Sequence, residues 1–227
     1  TPADVTVPYL YVLAANGCIN NQTVNVVIHP TPTLSTSLTP GTICNHGLFN
    51  YPPGSYTTGT TFTWNRNIVS GISNSSATGS NNPNENLHNT TSAPIEVPYV
   101  FTLVANGCIN MQTVVVTVNP TPMLSTTTTP AAICNNDMFI YGPASATTGT
   151  TFSWSRGSIS GILPATNSGV DSIIETLTNT TPNTIPVTYT YMMTANGCSN
   201  TQNIVVNVYP KPMLSTALTP AQCDSTI

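Results

Sequence analysis

The sequence predicts an all-β chain built from tandem β-sandwich repeats of about 90 residues. Ala-Asn-Gly-Cys occurs at 15–18, 105–108 and 195–198, with matching flanks each time, and a fixed period of this kind marks one structural unit copied in series. Each copy carries short runs in which Tyr, Phe, Val and Thr alternate, the pattern of half-buried strands. The third observation is compositional. Only 4% of the 227 residues are charged, so Thr, Asn and Ser must cover the surface, and these favour strands and turns over helices.

The period sets the domain organisation. Residues 31–120 and 121–210 are two complete repeats, 1–30 the closing part of a preceding one and 211–227 the opening of a following one. Each full repeat is long enough to bury its own core. In the first, Thr31–Pro40 reads as a linker with an edge strand, where proline is tolerated. Leu48-Phe49-Asn50-Tyr51 is a short strand stopped by Pro52-Pro53-Gly54. Thr60-Thr61-Phe62-Thr63-Trp64 alternates strictly, placing Phe62 and Trp64 on one face, and 150–154 repeats it. Residues 70–86 read as Gly/Ser/Asn-rich loops with at most a weak strand, and 86–91 as a strand.

The two strongest strands close the repeat. Tyr99, Phe101, Leu103 and Ala105 share a face, Asn106-Gly107 supplies a tight hairpin turn, and Val114, Val116 and Val118 return inward. The next copy gives Tyr189, Tyr191, Met193 and Ala195, then Ile204, Val206 and Val208. Seven or so short strands separated by turn signals describe a sandwich. The order Cys44, Trp64, Cys108 echoes the Cys…Trp…Cys arrangement of immunoglobulin-like domains, with a longer spacing.

Ile-Cys at 43–44 and 133–134, Thr-Phe-x-Trp at 61–64 and 151–154, and Tyr…Ala-Asn-Gly-Cys before a Val-rich strand together resemble PKD-like/Ig-like tandem repeats of giant Bacteroidota cell-surface proteins. These include gliding-type and adhesin proteins exported by the type 9 route. The resemblance covers essentially the whole chain. It implies stalk, adhesin or appendage roles, and fold alone does not choose among them. It also implies O-glycosylation at Asp-Ser/Thr before an apolar residue, which Asp171-Ser172-Ile173 matches at Ser172.

Composition narrows the function classes. Arg66, Arg156 and Lys211 are the only fixed cations, which argues against nucleic-acid binding and a polybasic membrane surface. No apolar run approaches 18 residues, so membrane insertion is not expected, and the absence of a signal peptide fits a mature or excised secreted segment. Repeat-locked cysteines favour disulfides and an oxidising, extracellular setting.

Two pairings are open. Within-unit bridges would join Cys44 to Cys108 and Cys134 to Cys198, leaving Cys18 and Cys223 to partners outside the segment. Bridges across the joints would join Cys18 to Cys44, Cys108 to Cys134 and Cys198 to Cys223. The first is favoured, because a strand of nine or ten residues spans about 30 Å and a joint-crossing bridge needs the next unit to fold back.

The remaining polar residues suggest no reaction. His29, His46 and His88 have no ligand spacing, no carboxylates cluster for calcium or acid–base work, and no nucleophile elbow occurs. Neither a cofactor, a metal site nor an enzyme is expected. Arg66 and Arg156 recur two residues after each Trp and read as solvated strand ends pairing with Glu85 and Glu175. Asn-x-Ser/Thr at Asn21, Asn74, Asn89 and Asn179 carries little weight in so Asn/Thr-rich a chain.

One oddity concerns surfaces. Leu10, Val12, Val27, Val100, Val104, Val115, Met192 and Val205 should point away from the core, where a solvated face reads polar. They suggest lateral contact, unless the linkers or a third layer cover them. The expected function is a structural segment of a long extracellular fibre or adhesin stalk whose partners are copies of itself. The competing expectation is a glycan- or surface-binding module using loops 70–86 and 160–172.

Overall fold

The computed structural model describes residues 3–214. Among them every regular element is a strand, and the chain divides into two compact units at Pro120–Thr121.

The first unit begins with a hairpin, β1 (Val5–Ala15) and β2 (Cys18–Ile28), which forms a two-stranded sheet of its own. The repeat proper follows as β3 (Ile43–Cys44), β4 (Leu48–Asn50), β5 (Thr61–Arg66), β6 (Ala77–Ser80), β7 (Asn84–Asn86), β8 (Ile95–Ala105) and β9 (Cys108–Asn119). One layer is the sheet β3-β9-β8-β5-β6, in which only β3 runs parallel to its neighbour; the other layer is the ribbon β4-β7. Asn106 and Gly107 turn β8 into β9 with φ of 48° and 80°, the left-handed pair a two-residue hairpin requires.

The predicted inward faces hold. Tyr99, Phe101 and Leu103 on β8 and Val114, Val116 and Val118 on β9 are fully buried. They pack with Phe49, Tyr51, Trp64 and Leu87 to fill the space between the layers. Trp64 lies inward against Gly79, whose missing side chain makes room for the indole: a Cβ there would stand 2.6 Å from Trp64 Cζ2. The passage expected to be loops thus contains β6 and β7, whose Gly, Ser and Asn residues conceal their strand character. The strand expected at 86–91 begins instead at Asn84 and reduces beyond Asn86 to a bridge between Ile72 and Asn89.

The second unit repeats the plan with β10 (Met138–Tyr141), β11 (Thr151–Arg156), β12 (Ile162–Leu163), β13 (Asn167–Val170), β14 (Ile173–Thr176), β15 (Thr178–Asn179), β16 (Ile185–Ala195) and β17 (Cys198–Val208). Its main sheet is β13-β11-β16-β17, with an Ile133–Val208 parallel bridge where the first unit has β3. Tyr189, Tyr191, Met193, Ile204, Val206 and Val208 are fully buried.

The cysteines correct the expected bridges. Cys44 and Cys198 each take part in a disulfide, while Cys108, Cys134 and Cys18 are free. Neither Cys44–Cys108 nor Cys134–Cys198 forms, nor does Cys18–Cys44 or Cys108–Cys134. The within-unit bridge fails on distance. Cys44 lies beside Asn119, at the far end of β9 from Cys108, roughly 35 Å away at ~3.3 Å per residue. A disulfide holds its Cα atoms within about 7 Å. Cys223 falls outside the described residues.

Candidate functional site

One arginine and one glutamate of each unit meet in its core. Arg66 closes β5 on the inward face and is 1% exposed, not the solvated strand end expected. The expected pairing with Glu85 on β7 is present, and it is bidentate: Arg66 Nε and Nη2 donate to Oε2 and Oε1 at 2.9 and 2.8 Å. Arg66 Nη2 also donates to the Ser75 carbonyl, and Tyr99 Oη donates to Glu85 Oε2 at 2.7 Å. The guanidinium lies over the Tyr99 ring at 6.0 Å, within reach of a cation–π attraction.

The second unit rebuilds this centre from Arg156, Glu175 and Tyr189. Arg156 donates to both Glu175 oxygens and to the Pro164 and Ala165 carbonyls, and Tyr189 donates to Glu175 Oε2. Planar fork-to-carboxylate geometry is why arginine serves here where lysine would not.

Burial and pairing oppose one another at these groups. Burial pushes the Glu85 carboxyl up, but donation from Arg66 and Tyr99 outweighs it and leaves it below the usual carboxylate range. Hydrogen bonding to Glu85 raises Arg66 against the effect of burial. Burial, reinforced by the adjacent carboxylate, pushes Tyr99 and Tyr189 well above an ordinary phenol. Each centre is closed within its own unit, and in the first Arg66 Nη1 is buried with no hydrogen-bond partner among the described residues. They hold a sheet to a ribbon and offer no approach to a substrate.

A second recurrent device links the loops around the sandwich. Asn89 Nδ2 donates to the Ala93 and Val118 carbonyls, while its Oδ1 accepts from Thr91 N and Oγ1. Asn179 makes the same four bonds to Asn183, Val208 and Thr181. Two of the four Asn-x-Ser/Thr matches are thus internal braces, in which the threonine hydroxyl closes onto the asparagine.

Two histidines separated in sequence meet in space: the rings of His46 and His88 stack at 4.0 Å, and Ser73 Oγ lies 2.9 Å from His88 Nδ1. Their counterparts Asn136 and Thr178 join by a 2.7 Å hydrogen bond, so this position is a loop-to-loop link made by different chemistry in each copy. His29 pairs with Asp4 beside the hairpin. Among the described residues no three His, Cys, Asp or Glu side chains gather as metal ligands.

The residues suggested for lateral contact divide by location. Leu10, Val12 and Val27 stand exposed on the hairpin and Met192 on β16, whereas Val100, Val104, Val115 and Val205 are half-buried. The linkers contribute at two of them: Leu38 O accepts from Val115 N, and Thr128 O from Val205 N. Ser172 is exposed in the turn between β13 and β14. The segments 70–86 and 160–172, expected to serve glycan binding, contain β6 with β7 and β12 with β13, joined by loops.

These features define a class first: tandem all-β sandwich modules, each with a self-contained ionic centre. The profile of the PKD-like domain family matches residues 41–122 and 131–212, and the chain belongs to that family. No curated protein matches the sequence. Among solved structures the chain is similar to the DIP-gamma IG1+IG2 domains at 8% identity, covering 80% of this chain and 99% of that one, with a TM-score of 0.39. It is similar to extracellular domains 3–5 of Drosophila OTK at 11% identity, covering 91% and 72%, with a TM-score of 0.36. A fucoidan hydrolase aligns at 12% identity and a TM-score of 0.30; this chain covers 35% of its length. Likeness at this level carries no argument about activity.

Proposed function

We propose that the chain is a non-catalytic structural segment of a long extracellular fibre or adhesin stalk, assembled from head-to-tail PKD-like repeats in a surface protein of the Bacteroidota kind. The observation that carries this reading is the duplicated centre. Arg66–Glu85–Tyr99 and Arg156–Glu175–Tyr189 consume both arginines in bracing, once per unit, and the Asn89 and Asn179 braces repeat with them. Selection for a reaction would vary one copy around a cleft, whereas selection for a building unit preserves the brace in each. Tandem units add length by copy number, and Pro30, Pro32, Pro120 and Pro122 restrict the backbone at the joints.

That Cys44 and Cys198 are each disulfide-bonded supports an oxidising, extracellular location. Copies of the chain associate laterally through Leu10, Val12, Val27 and Met192, and the exposed Ser172 is the place for O-linked sugar. A glycan array probed with the intact chain tests the structural reading against the glycan- and surface-binding one. The expected result is no saturable binding. Saturable binding abolished by exchanging residues 70–86 or 160–172 for Gly/Ser would replace the stalk proposal.

A further inference from the structure

The outer faces of the two main sheets differ along one rung. In the first unit Thr63 on β5 pairs with Ser80 on β6 and with Thr102 on β8. In the second the equivalent Ser153 pairs with Val170 on β13 and with Met192 on β16. All six lie on the side turned away from the core, because successive strand residues alternate and Trp64, Phe101, Trp154 and Tyr191 point inward. Two hydroxyl-bearing side chains are thus exchanged for two apolar ones, and Val170 and Met192 stand 70% and 51% exposed.

The first unit is hollow where the second projects. A cavity of about 570 Å³ opens on its outer face, lined by Thr63, Asn65, Thr78, Ser80, Val100 and Thr102, and no charged residue borders it. This groove spans the three strands β6, β5 and β8. Val170 and Met192 likewise flank Ser153 across three strands, roughly 10 Å apart at ~4.8 Å per strand spacing.

We propose that Met192 and Val170 of one copy of the chain seat in this groove of a second copy, joining the second unit of one molecule to the first unit of another. Val100 and the methyl groups of Thr63, Thr78 and Thr102 offer apolar contact, and an unbranched methionine adapts to an irregular hollow. No charge is desolvated on either side, whereas a charged partner would lose its hydration with nothing to answer it. The contact is heterologous: each copy carries one projection and one groove at different places, so a bound pair still offers both. An apolar side chain entering a pocket of the next molecule in this way builds open-ended assemblies. The inference rests on the lateral association proposed above and names the surface that receives Met192.

The test exchanges Met192 for the photoreactive p-benzoylphenylalanine, mixes that chain with isotope-labelled parent chain, and maps the cross-links by mass spectrometry. The expected outcome is linkage from position 192 of one chain to residues 63–65, 78–80 or 100–102 of the other. Met192→Thr and Thr102→Met each install the residue that the other unit carries at that position, so both are compatible with the fold. Each should weaken self-association in sedimentation by about 10-fold or more, the first by removing a buried methionine and the second by filling the groove. Met138→Thr, exposed on the ribbon layer, should leave it within about twofold.

Cross-links confined to the second unit, Met192 against Met192, or association undiminished in both groove variants would overturn this assignment and leave lateral association standing. A parent chain that stays monomeric throughout a concentration series, or links only to itself, would overturn both.

Discussion

Replacing Glu85 by Gln keeps the volume and removes the charge that answers Arg66. The guanidinium is then held in the core, 1% exposed, with a neutral amide where a bidentate carboxylate stood. Breaking a buried pair from one side costs about 3–5 kcal/mol, against a total domain stability of ~5–15 kcal/mol. At ~4–8 °C per kcal/mol for a domain of this size, the unit's melting temperature should fall by roughly 12–40 °C. The Glu175 side chain is 3% exposed and that of Glu85 17%, so Glu175→Gln should be the more damaging of the two. Calorimetry of the two single variants beside the parent chain checks both statements. Arg66→Met combined with Glu85→Leu should recover much of the loss, because a well-packed apolar pair replaces a buried ionic one at little cost. A change below about 0.5 kcal/mol in either Gln variant would refute the assignment of these centres as the braces of their units.

Acid should weaken the first unit through the same group. Because the folded pKa of Glu85 is lowered, its contribution is complete above the unfolded carboxyl value of about 4.3 and is lost as pH falls through the lower folded value; chemical denaturation from pH 7 to pH 2 follows it, and Glu85→Gln should flatten that dependence. The raised Tyr99 and Tyr189 hydroxyls act in the opposite direction, their contribution intact below about pH 10 and lost as pH rises beyond it. Gly79→Ala should cost about 1–3 kcal/mol by overpacking the Trp64 indole, with a shift in tryptophan emission as the reporter. Asn89→Ala leaves the Val118 carbonyl and the Thr91 amide without their side-chain partner, an expected loss of about 1–3 kcal/mol by urea denaturation.

The fold was readable where hydrophobic periodicity is strong. Tyr99, Phe101 and Leu103 announce β8 by strict alternation, and the Asn106-Gly107 pair fixes the turn that follows. β6 and β7 were hidden because an edge strand built around Gly79 and a polar ribbon built around Glu85 bury almost nothing apolar. The pairing of Arg66 with Glu85 was visible as recurrence across copies. Its burial was not, because one-dimensional pattern treats a charged strand end as solvated, and only the inward phase set by Trp64 places Arg66 in the core. The bonding of cysteines was illegible for a related reason: spacing gives the order of Cys44 and Cys108 but not the ~35 Å of β9 that separates them. His46 and His88 could have been linked by noticing that Asn136 and Thr178 replace both together.

Electron microscopy of the native material bears most directly on the account. It predicts filaments or extended stalks whose axial repeat corresponds to one PKD-like unit, persisting at high salt because so few charges are available to be screened. Discrete globular particles with no periodicity along any axis would contradict it.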